Sequence, residues 1–315
     1  MNTSITGIET KGVGNGSFFF AENLSAVLAR ICIFLLSVLY YIFGQHGLSI
    51  IPNRKGPDGV IEKFTLPYPA YTGEEERTVY VYLPDGFDEN EKMRYPVLYM
   101  FDGHNVFLDE DATYGKSWGL GNYLEEHEVP IVVVGVECNH NPKGGRLSEY
   151  APYSFQAPKL GKVTGRGQET MRWFIKTLKP LIDHQYPVRR DRNHTWIAGS
   201  SMGGLMSLYA VLEYNHVFSR AAALSPSIWF ASKKMDDLIA RSKVRPDTVI
   251  YMDYGQREMK FRDNMMGRFN RVSSQLIEKG VLLTSRIVPG GEHNEASWEK
   301  QIPFFINTLL YDGRR

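Results

Sequence analysis

The sequence predicts an α/β protein with a mostly parallel central sheet, an antiparallel hairpin at its N-terminal side and helices on both faces. Three observations predict it. Short apolar runs alternate with longer stretches of helical periodicity from Tyr95 to Tyr311. Two of those runs, Tyr95 to Phe101 and Val129 to Val136, are apolar almost throughout, as strands covered on both faces must be. Ahead of them, Arg77 to Pro84 alternates with period two, the pattern of a strand with one covered face.

The elements follow in order. Ile61–Leu66 and Arg77–Pro84 read as the two strands of the opening hairpin, with the turn at Gly73–Glu76. The strand Tyr95–Phe101 runs into Asp102-Gly103-His104, and Asp-Gly is a turn pair. Trp118–Glu126 reads as a helix, Val129–Val136 as a strand, and Met171–His184 as an amphipathic helix. A short apolar strand ending at Ala198 precedes a helical run from Leu205 to Tyr214. Strands at Ala221–Ser225 and Val249–Asp253, a helix over Asn264–Lys279, a strand at Leu282–Val288 and a closing helix over Trp298–Tyr311 complete the alternation.

Residues 1–59 read as a separate extension and linker, and 60–315 as the folded domain. Met1 to Ser17 is polar, and Gly44 to Gly59 carries the glycines and prolines of a linker. Between them Leu24 to Phe43 is largely apolar, interrupted by Ser25, Arg30 and Ser37. A transmembrane helix needs roughly 20 apolar residues, and a central Arg costs about 2.5–3.5 kcal/mol on insertion. The expectation is therefore a cytoplasmic protein, with a membrane anchor through residues 24–43 as the alternative. A poorly ordered extension and a start codon placed upstream of the true one are further readings. With 36 Lys and Arg against 35 Asp and Glu, the balanced charge gives no electrostatic case for a nucleic-acid partner. Two cysteines, Cys32 and Cys138, make no disulfide framework.

The chemistry concentrates at Ile197-Ala198-Gly199-Ser200-Ser201-Met202-Gly203-Gly204. This is G-x-S-x-G between an apolar strand and a helix, the context of a nucleophile elbow. Glycines flank the serine because side chains there would strike the neighbouring strand and helix. The bland reading is a glycine-rich turn, so the case rests on a base and an acid further along. His293 is the best of the eight histidines as base, because Pro289-Gly290-Gly291-Glu292-His293 lies between the last strand and the last helix. The acid should end an earlier strand, and Tyr251-Met252-Asp253-Tyr254-Gly255-Gln256-Arg257-Glu258 offers both Asp253 and Glu258, with Asp263 a weaker third choice. Spacing does not separate the first two. The backbone N–H groups of Met202 and of the Gly103-His104 loop are the candidate oxyanion donors.

In combination, Tyr95 to His104, Gly199-x-Ser-x-Gly-Gly, Leu224-Ser225-Pro226, Gly255-x-x-Glu258 and Gly290-Gly291-x-His293 resemble one family of α/β-hydrolases. It includes esterase D, enterochelin esterases, feruloyl esterases and the antigen 85 mycolyltransferases, and the resemblance covers about Val60 to Leu310. It implies the α/β-hydrolase fold, Ser201 as nucleophile, His293 as base and Glu258, rather than Asp253, as acid. It also implies His104 and Met202 as oxyanion donors. The activity implied is hydrolysis of a small-molecule carboxylic ester through an acyl-enzyme, with no metal or organic cofactor. The rivals are acyl transfer to an acceptor other than water and a non-catalytic binding protein on the same fold. Trp118, Arg146 and Trp229 are candidate substrate contacts, although core packing is the commoner fate of aromatics. Arg146 and Glu149 read as an ion pair or as a wall beside the substrate.

Overall fold

The protein is described by a computed structural model over residues 51–312, except 56–59, 70–73, 86, 88–92, 158–160 and 261–263. The apolar run 24–43 lies outside the described residues. Among the described residues no helix is long and apolar enough to cross a membrane.

Nine strands of the described residues form one sheet. They are β1 (Ile51–Lys55), β2 (Val60–Pro69), β3 (Glu74–Leu83), β4 (Val97–Phe101), β5 (Val132–Val136), β8 (Thr195–Ser200), β9 (Arg220–Leu224), β10 (Val249–Gly255) and β11 (Leu282–Val288). Two further strands, β6 (Phe155–Ala157) and β7 (Gly161–Val163), make a separate small hairpin. The large sheet has the order β1-β2-β3-β5-β4-β8-β9-β10-β11. The pairs from β1 to β5 along that order are antiparallel and the remainder parallel. This is the mostly parallel sheet of an α/β-hydrolase. The chain leaves β4 for β5 on one side and later enters β8 on the other. The crevice outside the carboxyl ends of β4 and β8 is thus the switch point where open α/β sheets bind ligands.

Hydrophobicity explains the layering. Every residue of β4, β5 and β8 is buried. Leu98, Met100, Trp196 and Ala198 join Trp118, Trp298 and Phe305 in the core cluster. Tyr99 and Phe101, on alternate positions of the same strand, meet Phe174 instead.

Several boundaries differ from the sequence reading. Ile51–Lys55 pairs with β2 where the sequence reads as linker, because an added edge strand needs only backbone donors and acceptors. β3 begins at Glu74, so Glu74 to Glu76 belong to the strand and not to the turn. The helix expected from Trp118 starts at Leu120 (α1, Leu120–Glu126), behind Gly119 in the left-handed region. The helix expected over 171–184 is α3 (Gly167–Trp173) and α4 (Lys179–Gln185), joined by a π-turn at Phe174–Leu178. That wider turn stands just before Pro180, which cannot donate to the Lys176 carbonyl and would clash with it. A short helix, α2 (Gly145–Glu149), precedes them. α5 (Met202–Glu213) and α7 (Met265–Glu278) lie where expected, while α6 (Ser232–Arg241) has no counterpart in the sequence reading. The closing helix is split into α8 (Glu295–Glu299) and α9 (Ile302–Leu310), with Pro303 in the first turn of the second.

Candidate active site

β8 delivers Ser201 into a sharp turn with φ 57° and ψ −119°, a backbone region costly for any residue but glycine. The surroundings hold it there. Its N–H donates to Leu224 O at 2.9 Å, and its carbonyl accepts from Ser227 N–H at 2.9 Å and Leu205 N–H at 3.0 Å. The flanking glycines are steric necessities. A Cβ on Gly199 would come within 2.8 Å of the Gly203 carbonyl carbon, and one on Gly203 within 2.9 Å of Phe101 Cβ. Met202 opens α5, and the N–H groups of a first helical turn have no intrahelical partners.

The loop after β11 brings in His293. Its Nδ1 lies 2.6 Å from Glu258 Oε2. Glu258 opens a short 3₁₀ turn after β10 and is buried. Its other oxygen accepts from the Ser225 hydroxyl at 2.6 Å and from Gly255 N–H at 2.9 Å. Trp298 Nε1 in turn donates to Ser225 Oγ at 3.1 Å, and the Trp298 ring stands edge-on to His293 at 5.1 Å. A carboxylate only accepts, so His293 Nδ1 is the donor, and in the neutral ring Nε2 then carries the lone pair.

Asp253 faces elsewhere. It accepts from Ser225 N–H at 3.1 Å and from the Tyr251 hydroxyl at 2.7 Å, and burial pushes its pKa up to about 7. The structure therefore brings Glu258, and not Asp253, to His293. Asp263 lies outside the described residues.

The 3₁₀ turn Gly103–Asn105 follows β4, with Asp102 at φ 57°. A Cβ on Gly103 would meet the backbone of Gly135 and Val136, so only glycine lets the turn sit against β5. His104 Nε2 lies 3.0 Å from Thr113 Oγ1. Burial pushes the His104 imidazole below its ordinary pKa, against the pull of Asp102. A cavity of about 420 Å³ has Ser201, His293, His104, Arg146, Asn105, Asn139, Asn141 and Tyr114 in its wall.

Of the three expected substrate contacts, Arg146 lines this cavity. Its guanidinium grips both oxygens of buried Asp102 at 2.7 Å, side-on. Burial works to raise the Asp102 pKa, but the charge and hydrogen bonds of Arg146 outweigh it and hold it below the usual value. The Arg146–Glu149 ion pair does not form, since Glu149 is taken by Arg77 at 2.8 Å. Trp118 packs against Trp298 and Phe305 in the core, because burial of a large ring outweighs exposure at a cavity. Trp229 stands against Phe230 and is not in the cavity wall. Ser225 and Trp298 have no assigned role in the sequence reading, although Ser225 belongs to a motif that carries the resemblance.

The "Putative esterase" family profile matches residues 71–309. The chain belongs to this esterase family. YbbA of Bacillus subtilis (strain 168), an uncharacterised protein, is 26% identical over 248 residues, covering 75% of this chain and 92% of YbbA. The ferri-bacillibactin esterase BesA of the same organism is 25% identical over 248 residues, covering 72% of this chain and 82% of BesA. Among solved structures, the BES protein from Bacillus cereus superposes with a TM-score of 0.61 at 19% identity, over 82% of this chain and 97% of that one. This esterase thus shares its fold with that structure and, as a family member, is a carboxylic ester hydrolase.

Proposed function

We propose that this esterase works through Ser201, His293 and Glu258 and a covalent acyl-enzyme. The observation that carries the reading is that Ser201 and His293 line one cavity, while Glu258, itself held by Ser225 and Gly255, bonds His293 Nδ1 from behind it. A serine hydroxyl is a weak nucleophile and needs a base whose tautomer is fixed. His293 Nε2 takes the Ser201 proton as Oγ attacks the ester carbonyl. Met202 and His104 N–H groups receive the developing oxyanion, at the start of α5 and in the turn after β4. The alcohol leaves with the proton from His293, and water, activated by the same nitrogen, releases the acid.

Small-molecule esters with polar parts fit the wall best, because Asn105, Asn139, Asn141 and Arg146 line it. Polar groups of this kind can hold a water near Ser201, which favours hydrolysis over transfer to another acceptor. The likeness to BesA supports siderophore-type esters as the first natural candidates to try.

The test is hydrolysis of p-nitrophenyl acetate by the parent and by Ser201→Ala and Glu258→Gln. Ser201→Ala is expected to lose about 10⁴–10⁶ in kcat, and Glu258→Gln about 10²–10⁴. A folded Ser201→Ala protein with parental turnover would remove Ser201 as the nucleophile.

A further inference from the structure

β4 and β5 are parallel neighbours, with Phe101 opposite Val136. The chain just past each strand therefore converges at one end of the sheet. His104 comes from the first segment, Cys138 and His140 from the second. One ring nitrogen of each histidine and the Cys138 sulfur all lie within 4.8 Å of one another. His104 and Cys138 are both only 4% exposed. His104 Nδ1 is a buried nitrogen with no hydrogen-bond partner among the described residues. A nitrogen left so incurs a desolvation cost unless something binds it.

The other ring nitrogens are already anchored. His104 Nε2 is held by the Thr113 hydroxyl at 3.0 Å and His140 Nε2 by Glu137 at 2.8 Å. Glu137 is itself fixed by Thr78 N–H at 3.3 Å. That leaves His104 Nδ1 unpartnered, and each ring has a hydroxyl or a carboxylate on its other side, the kind of support a metal-bound histidine uses.

We propose that His104, Cys138 and His140 bind a divalent transition-metal ion of the zinc class on the cavity wall. Two imidazoles and a thiolate select that class over magnesium and calcium. Tetrahedral ligands around zinc stand roughly 3.3–3.8 Å apart, given bonds of about 2.0–2.3 Å. Ligand atoms up to 4.8 Å apart must therefore close by as much as about 1 Å, and His140, with its side chain 56% exposed, supplies the movement with its Glu137 contact shifting alongside. Binding replaces the Cys138 S–H bond and its hydrogen bond to Asp102 by a sulfur–metal bond and releases that proton to solvent. Three protein ligands leave a fourth position open to water or to a donor group of a molecule in the cavity. The inference does not depend on ester hydrolysis.

The experiment titrates the full-length protein with Co²⁺ as probe. One equivalent is expected to give a thiolate-to-cobalt band in the near ultraviolet and intense tetrahedral bands in the visible, both removed by added Zn²⁺. Cys138→Ser should abolish the ultraviolet band, and His140→Ala should weaken binding at least about tenfold. His140 is an exposed loop residue, so that variant decides the matter even if Cys138→Ser fails to fold. No thiolate band in the parent at millimolar Co²⁺, or an unchanged titration in folded His140→Ala, overturns the proposal.

Discussion

Asp253 and Glu258 are two buried carboxylates five positions apart, and their surroundings give them different chemistry. Glu258 is ringed by donors and reaches His293. Asp253 has the Tyr251 hydroxyl and Ser225 N–H, with Glu258 on one side and Arg286 beyond Tyr251. Its folded pKa of about 7 stands above the unfolded value, so between about pH 4 and pH 7 the folded state holds a proton that the unfolded state has released. Its contribution favours folding relatively at acid pH and is lost as pH rises through 7. Asp253→Asn removes the penalty. In urea melts its stability relative to the parent should therefore improve by about 1–3 kcal/mol between pH 5 and pH 8. A constant difference across that range would mean that Asp253 is ionised in the folded protein throughout. Neither this carboxylate's role nor its neighbour's is legible from spacing. Both sit near one strand end, and only the turn after Gly255 decides which side chain faces the histidine.

The elbow is the element where local sequence and local structure agree most closely. Gly199 is required by its contact with Gly203 inside the strand–turn–helix unit, and Gly203 by Phe101 on the neighbouring β4, so the motif records both the local turn and one fixed neighbour. The same unit stores strain at Ser201, held at positive φ by hydrogen bonds on both sides. Such a residue costs about 1–3 kcal/mol, and glycine would relieve it at an entropic cost of about 0.5–1 kcal/mol. Ser201→Gly is therefore expected to raise stability by about 1 kcal/mol while abolishing turnover, whereas Ser201→Ala keeps the strain. Thermal melts of the two variants check this, and equal melting temperatures would mean that the turn is relaxed. The split between α3 and α4 is less legible. Pro180 marks a disturbance, but its accommodation by a π-turn rather than a break depends on Phe174 and Leu178 both being packed in the core.

At the scale of the molecule, the sheet order assembles residues that are far apart in the chain. Ser201 follows β8, Glu258 follows β10 and His293 follows β11, so one end of the sheet collects all three. The antiparallel flank is tied to that end by a buried ion pair, since Arg77 on β3 meets Glu149, three residues past Arg146. Removing one partner of such a pair costs about 3–5 kcal/mol, because the other charge is left buried and alone. Arg77→Ala should lose that much stability in urea unfolding, and adding Glu149→Gln should recover part of it. A loss below about 1 kcal/mol would show that Glu149 finds another partner or takes up a proton.

The sequence alone determined the alternation of strands and helices, the strained turn at Ser201 and the placing of His293 after the last strand. Each depends on periodicity, glycine sterics or chain order, which are properties of neighbouring residues. Spacing left Asp253 and Glu258 open and the resemblance implied Glu258; the tertiary structure set Glu258 against His293, and it alone decided that Arg146 grips Asp102 and that Trp118 is core. It alone set His104 beside Cys138 and His140. Those outcomes depend on strand order and on which side chains win the limited buried space, and no local pattern in the chain encodes either.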